Sequence, residues 1–318
     1  MPPRFAVVVP VGPEDIDMER ARLLLASLAR WEPTVGWCVV VEDAPTPRGV
    51  SVRDVMPANC RVVTLTNPRR GIGHYWSGAV LTGTLLALAW IQANTDADFV
   101  LMIETDALVI GPFADGIRRC FAEHATAGLI GTLGSSSNER FLPDFSKDSQ
   151  ILVAYRLLPV TPTGPDAAAE KPLFVDGVGP FAIADRYLFD TVRLHIAAAV
   201  ANGYATNAWI QGGAQAAPRT LLDRMATAGY FQYPEVWMHL PILGDQILPM
   251  YVRAVGLHQR ACTRPHEPFA VQYQGLPYAL ETLVERGHSL IHSIKNDRRY
   301  SERDIREFFL RREGALTH

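Results

Sequence analysis

Two acidic residues one position apart, Glu104-Thr105-Asp106, end an unbroken apolar run, Phe99-Val100-Leu101-Met102-Ile103. In an extended segment residues i and i+2 project to the same side, so both carboxylates can face one cation or one network of water. Hard divalent ions such as Mn2+ and Mg2+ take oxygen ligands, and one or two carboxylates completed by the phosphates of a substrate suit them. The same pattern also serves as an acidic strand end that starts a turn. A second acidic pair, Glu42-Asp43, follows the apolar run Gly36 to Val41 and precedes the turn-rich Ala44-Pro45-Thr46-Pro47. A carboxylate there can accept a base imide N–H or a ribose hydroxyl, or it can simply open the turn.

The elements that must hold these acids follow from periodicity. Runs at 5–10, 36–41, 61–65 and 98–103 read as buried strands. Between them, 16–31 carries Met18, Ala21, Leu24, Leu25 and Leu28 at helical spacing, and a long helix is predicted from about Tyr75 to Asn94. Strands separated by helices imply a mainly parallel sheet whose ligands gather at the carboxyl ends of the strands. Acidic or glycine-rich residues follow at least three of these strands, which predicts a polar pocket there. The stretches Gly134 to Asp148 and Pro159 to Lys171 read as surface loops, and 173–184 returns to strand-like character. The last third reads mainly as helix and loop, ending in a charged helix near 301–312.

With 318 residues, 48% hydrophobic and 20% charged, the chain can bury a full core and is not disordered. A formal charge of −3 excludes a strongly basic nucleic-acid binder. Cys38, Cys60, Cys120 and Cys262 form no C-x-x-C pair and read as buried thiols in a reducing compartment. The N-terminus lacks signal-peptide character, and the apolar stretch Val80 to Ile91 is too short to cross a bilayer, so a cytoplasmic location is expected.

The order strand-Pro, strand-acid, Asn-x-x-x-Gly, strand-Glu-Thr-Asp, Gly-rich strand, Gly-Asp-Gln resembles the GT-A class of nucleotide-sugar glycosyltransferases, especially its large inverting family, over residues 5 to 295. In that class an Asp-x-Asp motif ends the fourth strand and holds Mn2+ or Mg2+ on the diphosphate of the donor. By resemblance Asp106 is a metal ligand, and Glu104, standing where the family has Asp, contacts the metal, its water or the ribose. Pro10 and Val11 would then pack on the base, with Asp43 as the acid that reads base or ribose, favouring a UDP or dTDP donor. Asn67 to Gly73 resembles the loop beside the base, where Arg69 or Arg70 approaches phosphate. Gly177, within Asp176-Gly177-Val178-Gly179-Pro180, would border the donor sugar.

In the acceptor half the resemblance makes Asp245 of Gly244-Asp245-Gln246 the general base; the family's preceding Glu is here Gly244. Capping the helix predicted at 246–255 is a compatible second role for it. Gly287 to Lys295 resembles the late segment that completes metal coordination, through His292 or His288, with Lys295 offsetting leaving-group charge. Of the aromatic residues Trp209, Tyr230, Phe231, Tyr233 and Trp237, the last two lie nearest Asp245 in sequence and are the expected acceptor contacts.

The expected fold is therefore a mixed, mainly parallel GT-A-like (Rossmann-like) sheet flanked by helices. Residues 1–110 would form a nucleotide-sugar-binding half and 111–318 an acceptor-binding half of one continuous unit. The expected reaction is inverting, metal-dependent transfer of a sugar from a nucleoside diphosphate to the hydroxyl of a small molecule or glycan. A sugar-phosphate nucleotidyltransferase and a non-catalytic nucleotide- or sugar-binding protein remain as alternatives on the same fold.

Overall fold

The computed structural model describes residues 4–69, 78–134, 173–175, 178–181, 186–204, 209–232, 234, 237 and 244–316. Strand β1 (Ala6–Val11), helix α1 (Asp15–Trp31), β2 (Trp37–Glu42), β3 (Arg61–Thr66), α2 (Gly78–Asn94) and β4 (Phe99–Ile103) follow in the predicted order. The strands pair in parallel, β2 with β3 and with β1, and β1 with β4. Strand β1 alternates between two cores. Phe5, Val7, Val9 and Val11 face the layer of α1, and Ala6 and Val8 face the layer of α2. Helix α1 buries Ala21, Leu24, Leu25 and Leu28 as one stripe. Helix α2 carries no charged residue, and it packs on the sheet beside two further helices, α5 (Arg219–Thr227) and α6 (Gly244–Ala254).

Among the described residues the main sheet has seven strands. Its order is β10 (His258–Ala261), β6 (Ala127–Leu133), β9 (Ile210–Pro218), β4, β1, β2, β3. The chain runs outward from β1 to β3 and then returns to the other side of β1 to form β4. That reversal leaves a crevice at the carboxyl ends of β1 and β4, where open α/β sheets bind ligands. The mixed, mainly parallel sheet flanked by helices is the fold class expected from the sequence.

The last third departs from the expected helix and loop. It supplies β9, which runs antiparallel between β4 and β6, pairing Ile103 with Ala214 and Gly131 with Gln215. Its sequence, IQGGAQAAP, is poor in β-branched and aromatic residues and ends in proline. Ladders on both sides make it a strand where its own propensity does not. Strands β11 (Phe269–Val271) and β12 (Leu290–His292) were also unforeseen. With β5 (Leu108–Val109) they form a small sheet in the order β11-β12-β5. Pairing Ile291 with Leu108 in antiparallel register brings the end of β12 to the turn that follows β4.

The remaining described elements are α3 (Ala114–Glu123), β7 (Leu173–Val175), β8 (Val178–Phe181), α4 (Arg186–Ala201), α7 (Leu280–Glu285) and α8 (Glu302–Leu316). Strands β6, β9 and β10 come from beyond residue 110, so the two expected halves share one sheet. All four cysteines are buried free thiols. Among the described residues no helix is long and apolar enough to cross a membrane.

Candidate functional site

Strand β4 ends at Ile103 and the chain turns at once, Ala107 N–H donating to Glu104 C=O at 3.1 Å. The carboxylates of Glu104 and Asp106 therefore converge through a turn rather than along an extended strand. The small sheet brings its residues to the same place. Ile294 N–H donates to Asp106 C=O at 3.0 Å, Ser293 Oγ donates to Asp106 Oδ2 at 2.6 Å, and Lys295 Nζ lies 3.0 Å from that same oxygen. His292 Nε2 stands 3.2 Å from Asp106 Oδ1 and 3.5 Å from Glu104 Oε2. Burial by itself pushes the Asp106 carboxyl up. His292, Lys295 and Ser293 outweigh it and hold the group well below the usual carboxylate range.

The other ring nitrogen of His292, Nδ1, pairs with Gln272 C=O at 2.8 Å. A carbonyl can only accept, so Nδ1 carries a proton and Nε2 is the nitrogen turned toward the acids. That Nε2 is buried and makes no hydrogen bond of good geometry. Burial works against the charged ring, but Asp106 and Glu104 reverse the balance and raise its pKa to about 10. One ligand atom from each of Glu104, Asp106 and His292 lies within 4.8 Å of the others. Two carboxylate oxygens and one imidazole nitrogen, with the ring's tautomer set by Gln272, are donors that fit Mn2+ or Mg2+.

Asp245 lies in the first turn of α6, and its Oδ2 accepts from Gly212 N–H of β9 at 3.3 Å. Pro249, inside the same helix, lacks the N–H that would otherwise pair with Asp245 C=O. Burial first, and then the charge of Glu104, raise the Asp245 carboxyl to about 7. Glu104 therefore borders both the cation cluster and Asp245.

At the end where the nucleotide is expected from the sequence, Pro10 and Val11 close β1, and Asp43 N–H donates to Val11 C=O at 2.9 Å. Glu42 closes the following loop by accepting from the backbone N–H groups of Arg48 and Gly49. Arg69 is buried rather than at the surface. Its Nε lies 2.8 Å from both Asp43 oxygens and its Nη2 also donates to that carboxylate, so the two expected ligand contacts hold each other. Gly177, Arg70 and Gly71 to Gly73, Tyr233, and the loops 135–148 and 159–171 lie outside the described residues.

One sequence expectation changes. Trp237 is fully buried, its indole N–H donating to Tyr251 Oη at 2.7 Å, so it is a core residue and not an acceptor contact. An aromatic ring near an acid in sequence need not face it once the helix turns. Of the two histidines, His288 stacks on Tyr278 and pairs with Glu267 C=O, while His292 joins the acids. Sequence reasoning missed Gln272, Ser293, Gly212 and Gly213. The glycine pair was the one visible signal, since glycines inside a strand mark a close approach.

No protein-family model and no curated protein sequence matches the chain. Among solved structures it is similar to the apo form of the bifunctional glycosyltransferase WbbM, with 14% identity and a TM-score of 0.47, over 98% of this chain and 50% of that one. It is also similar to core-mannan synthase A (CmsA/Ktr4) from Aspergillus fumigatus in its Mn/GDP form, with 10% identity and a TM-score of 0.38, over 80% of this chain and 72% of that one. The chain thus spans half the length of the WbbM chain it matches.

Proposed function

We propose that this protein is a metal-dependent glycosyltransferase that moves a sugar from a nucleoside diphosphate sugar to a hydroxyl acceptor with inversion. The observation that carries this reading is the buried Nε2 of His292, which makes no hydrogen bond of good geometry yet stands within 3.5 Å of two carboxylates. It is aimed at Glu104 and Asp106 beside the carboxyl ends of β1 and β4. Glu104, Asp106 and His292 would hold Mn2+ or Mg2+, which supplies Lewis-acid charge to the departing diphosphate. Lys295, partly exposed beside Asp106, adds a second positive charge on that side.

Asp245 takes the acceptor proton. A carboxyl whose pKa is about 7 is a competent base at neutral pH, and a partly buried site strengthens its pull on the hydroxyl. Pro10, Val11 and the Asp43–Arg69 pair line the expected base and ribose end, with Gly177 proposed beside the donor sugar. A uridine or thymidine diphosphate donor is proposed on the acceptor character of Asp43. Residues 1–110 are assigned to donor binding and 111–318 to acceptor binding within one unit.

A thermal-shift screen of nucleoside diphosphates with and without Mn2+ tests the reading, because a ligand of the native state raises its stability. Uridine or thymidine diphosphate should stabilise the protein only when the metal is present. Stabilisation by nucleoside triphosphates with release of pyrophosphate would favour a nucleotidyltransferase instead. Donor binding with no turnover on any acceptor would favour a binding protein. NMR of the product should show the anomeric configuration opposite to that of the donor, and retention would remove the inverting mechanism.

A further inference from the structure

Strand β9 passes between the two chemical centres of the site. Neighbouring residues of a strand project to opposite faces, so Gly212 and Gly213 look different ways. A Cβ built on Gly212 would stand 2.5 Å from Asp245 Oδ1 and 3.2 Å from Glu104 Oε1. A Cβ built on Gly213 would overlap Cγ and Nδ1 of His292 and stand 2.5 Å from its Cδ2, well inside van der Waals contact. Neither glycine has a positive φ, so both backbones suit an L-residue and only space demands glycine here. On one side Gly212 also supplies the N–H that Asp245 accepts. On the other, the His292 ring is held by Gln272 C=O, so it cannot tilt away from a methyl group without losing that bond.

We propose that Gly212 and Gly213 are positioning residues that set the separation between the Glu104–Asp106–His292 cluster and Asp245, each through one face of β9. The proposal rests on the glycosyltransferase reading for its catalytic meaning and on the strand geometry for its physical content. One added methyl at Gly213 displaces the metal-facing imidazole and leaves Asp245 in place. One added methyl at Gly212 displaces the Asp245 carboxylate, presses more lightly on Glu104 Oε1 and leaves the imidazole in place. The two functions are therefore separable by single methyl groups on adjacent residues.

Calorimetric titration of the full chain with Mn2+ reads the first face. Gly213→Ala should weaken binding about tenfold or more, as loss of a ligand's support does, while Gly212→Ala, whose methyl touches Glu104 Oε1 but no atom of His292, should weaken it clearly less. Adding Gly213→Ala to His292→Ala should weaken binding no further, because the group it displaces is already gone. Crystal structures read both faces, with the His292 ring shifted in one variant and the Asp245 carboxylate in the other. In G212A the turnover of a UDP-sugar donor under saturating Mn2+ should fall about 100-fold, the scale of a misplaced reacting group, at unchanged KM. Wild-type Mn2+ affinity in G213A, equal losses of affinity in both variants, or unmoved side chains would overturn the proposal. If wild type itself takes up no Mn2+, the metal-dependent reading falls. The two crystal structures then decide the glycine proposal alone. If G213A does not fold, G213A/H292A must fold, since the ring that the methyl strikes is absent; failure of both overturns the proposal.

Discussion

The Nε2 atom of His292 lies 3.2 Å from Oδ1 of Asp106. Asp106 lies in the turn after β4 and His292 at the end of β12, and each changes the other's protonation. Asp106 helps to lift the imidazole to about 10, and the imidazole helps to hold the carboxyl well below its usual range. Such a pair is stable without a metal and must give up a proton to accept one.

At pH 7 to 8 the metal-free protein therefore carries a proton on His292, since its pKa of about 10 lies above that range. Mn2+ binding should release about one proton, and affinity should rise with pH. Calorimetry in buffers of different ionisation enthalpy measures the release directly. His292→Ala should abolish it, and an unchanged proton count in that variant would remove His292 from the site.

Asp245 should give the ascending limb of the pH–rate profile. Its raised carboxyl, about 7 in the metal-free protein, is neutral below that pH and acts as a base above it. A bound cation offsets the repulsion from Glu104, so the limb in the loaded enzyme should sit at or below pH 7. Asp245→Asn should remove the limb and lower kcat by roughly 10²- to 10⁴-fold with donor binding intact. Loss of donor binding instead would refute the base assignment. The same shift runs against stability: the folded state holds this proton more tightly than the unfolded chain. Its contribution should therefore be present below pH 4 and be lost as pH rises through about 7.

The Asp43–Arg69 pair should be worth most when it is broken by halves. Both side chains are buried, so Asp43→Asn removes the carboxylate that faces the buried guanidinium and should cost up to about 3–5 kcal/mol. Urea denaturation of the apo protein measures this. Replacing both residues by apolar ones of similar size should cost less than Asp43→Asn alone.

Tyr251 links two further polar groups beneath the helix that carries Asp245. Its hydroxyl accepts from Trp237 Nε1 and lies 3.1 Å from His195 Nδ1, a ring that burial lowers to about 4 and so keeps neutral at pH 7. Tyr251→Phe leaves the indole N–H unpaired in the core and should cost about 1–3 kcal/mol in a denaturant melt. Wild-type stability would mean that the Trp237 indole N–H finds another partner.

The half that carries β1 to β4 was legible because its signals are local. Apolar runs of strand length, helical stripes such as that of α1, and acids at strand ends all occupy short windows of sequence, and hydrophobic periodicity reports them. Glu104 and Asp106 stood out for that reason. Strand β9 did not, because glycine and alanine in its sequence carry no strand preference, and its pairing with β4 and β6 joins segments far apart in the chain.

The amino-acid sequence alone determined the alternating α/β order, the acids that close β2 and β4, and a late histidine as a candidate partner for them. Only the tertiary structure decided that His292 rather than His288 reaches the acids, that Asp43 and Arg69 hold each other, and that Trp237 belongs to the core. It also brought Gly212 and Gly213 between the cation cluster and Asp245. The physical reason is the range of the interactions. Propensity and periodicity act over one or two turns of chain, whereas the direction in which an imidazole, a guanidinium or an indole points is set by the partner that folding delivers from elsewhere.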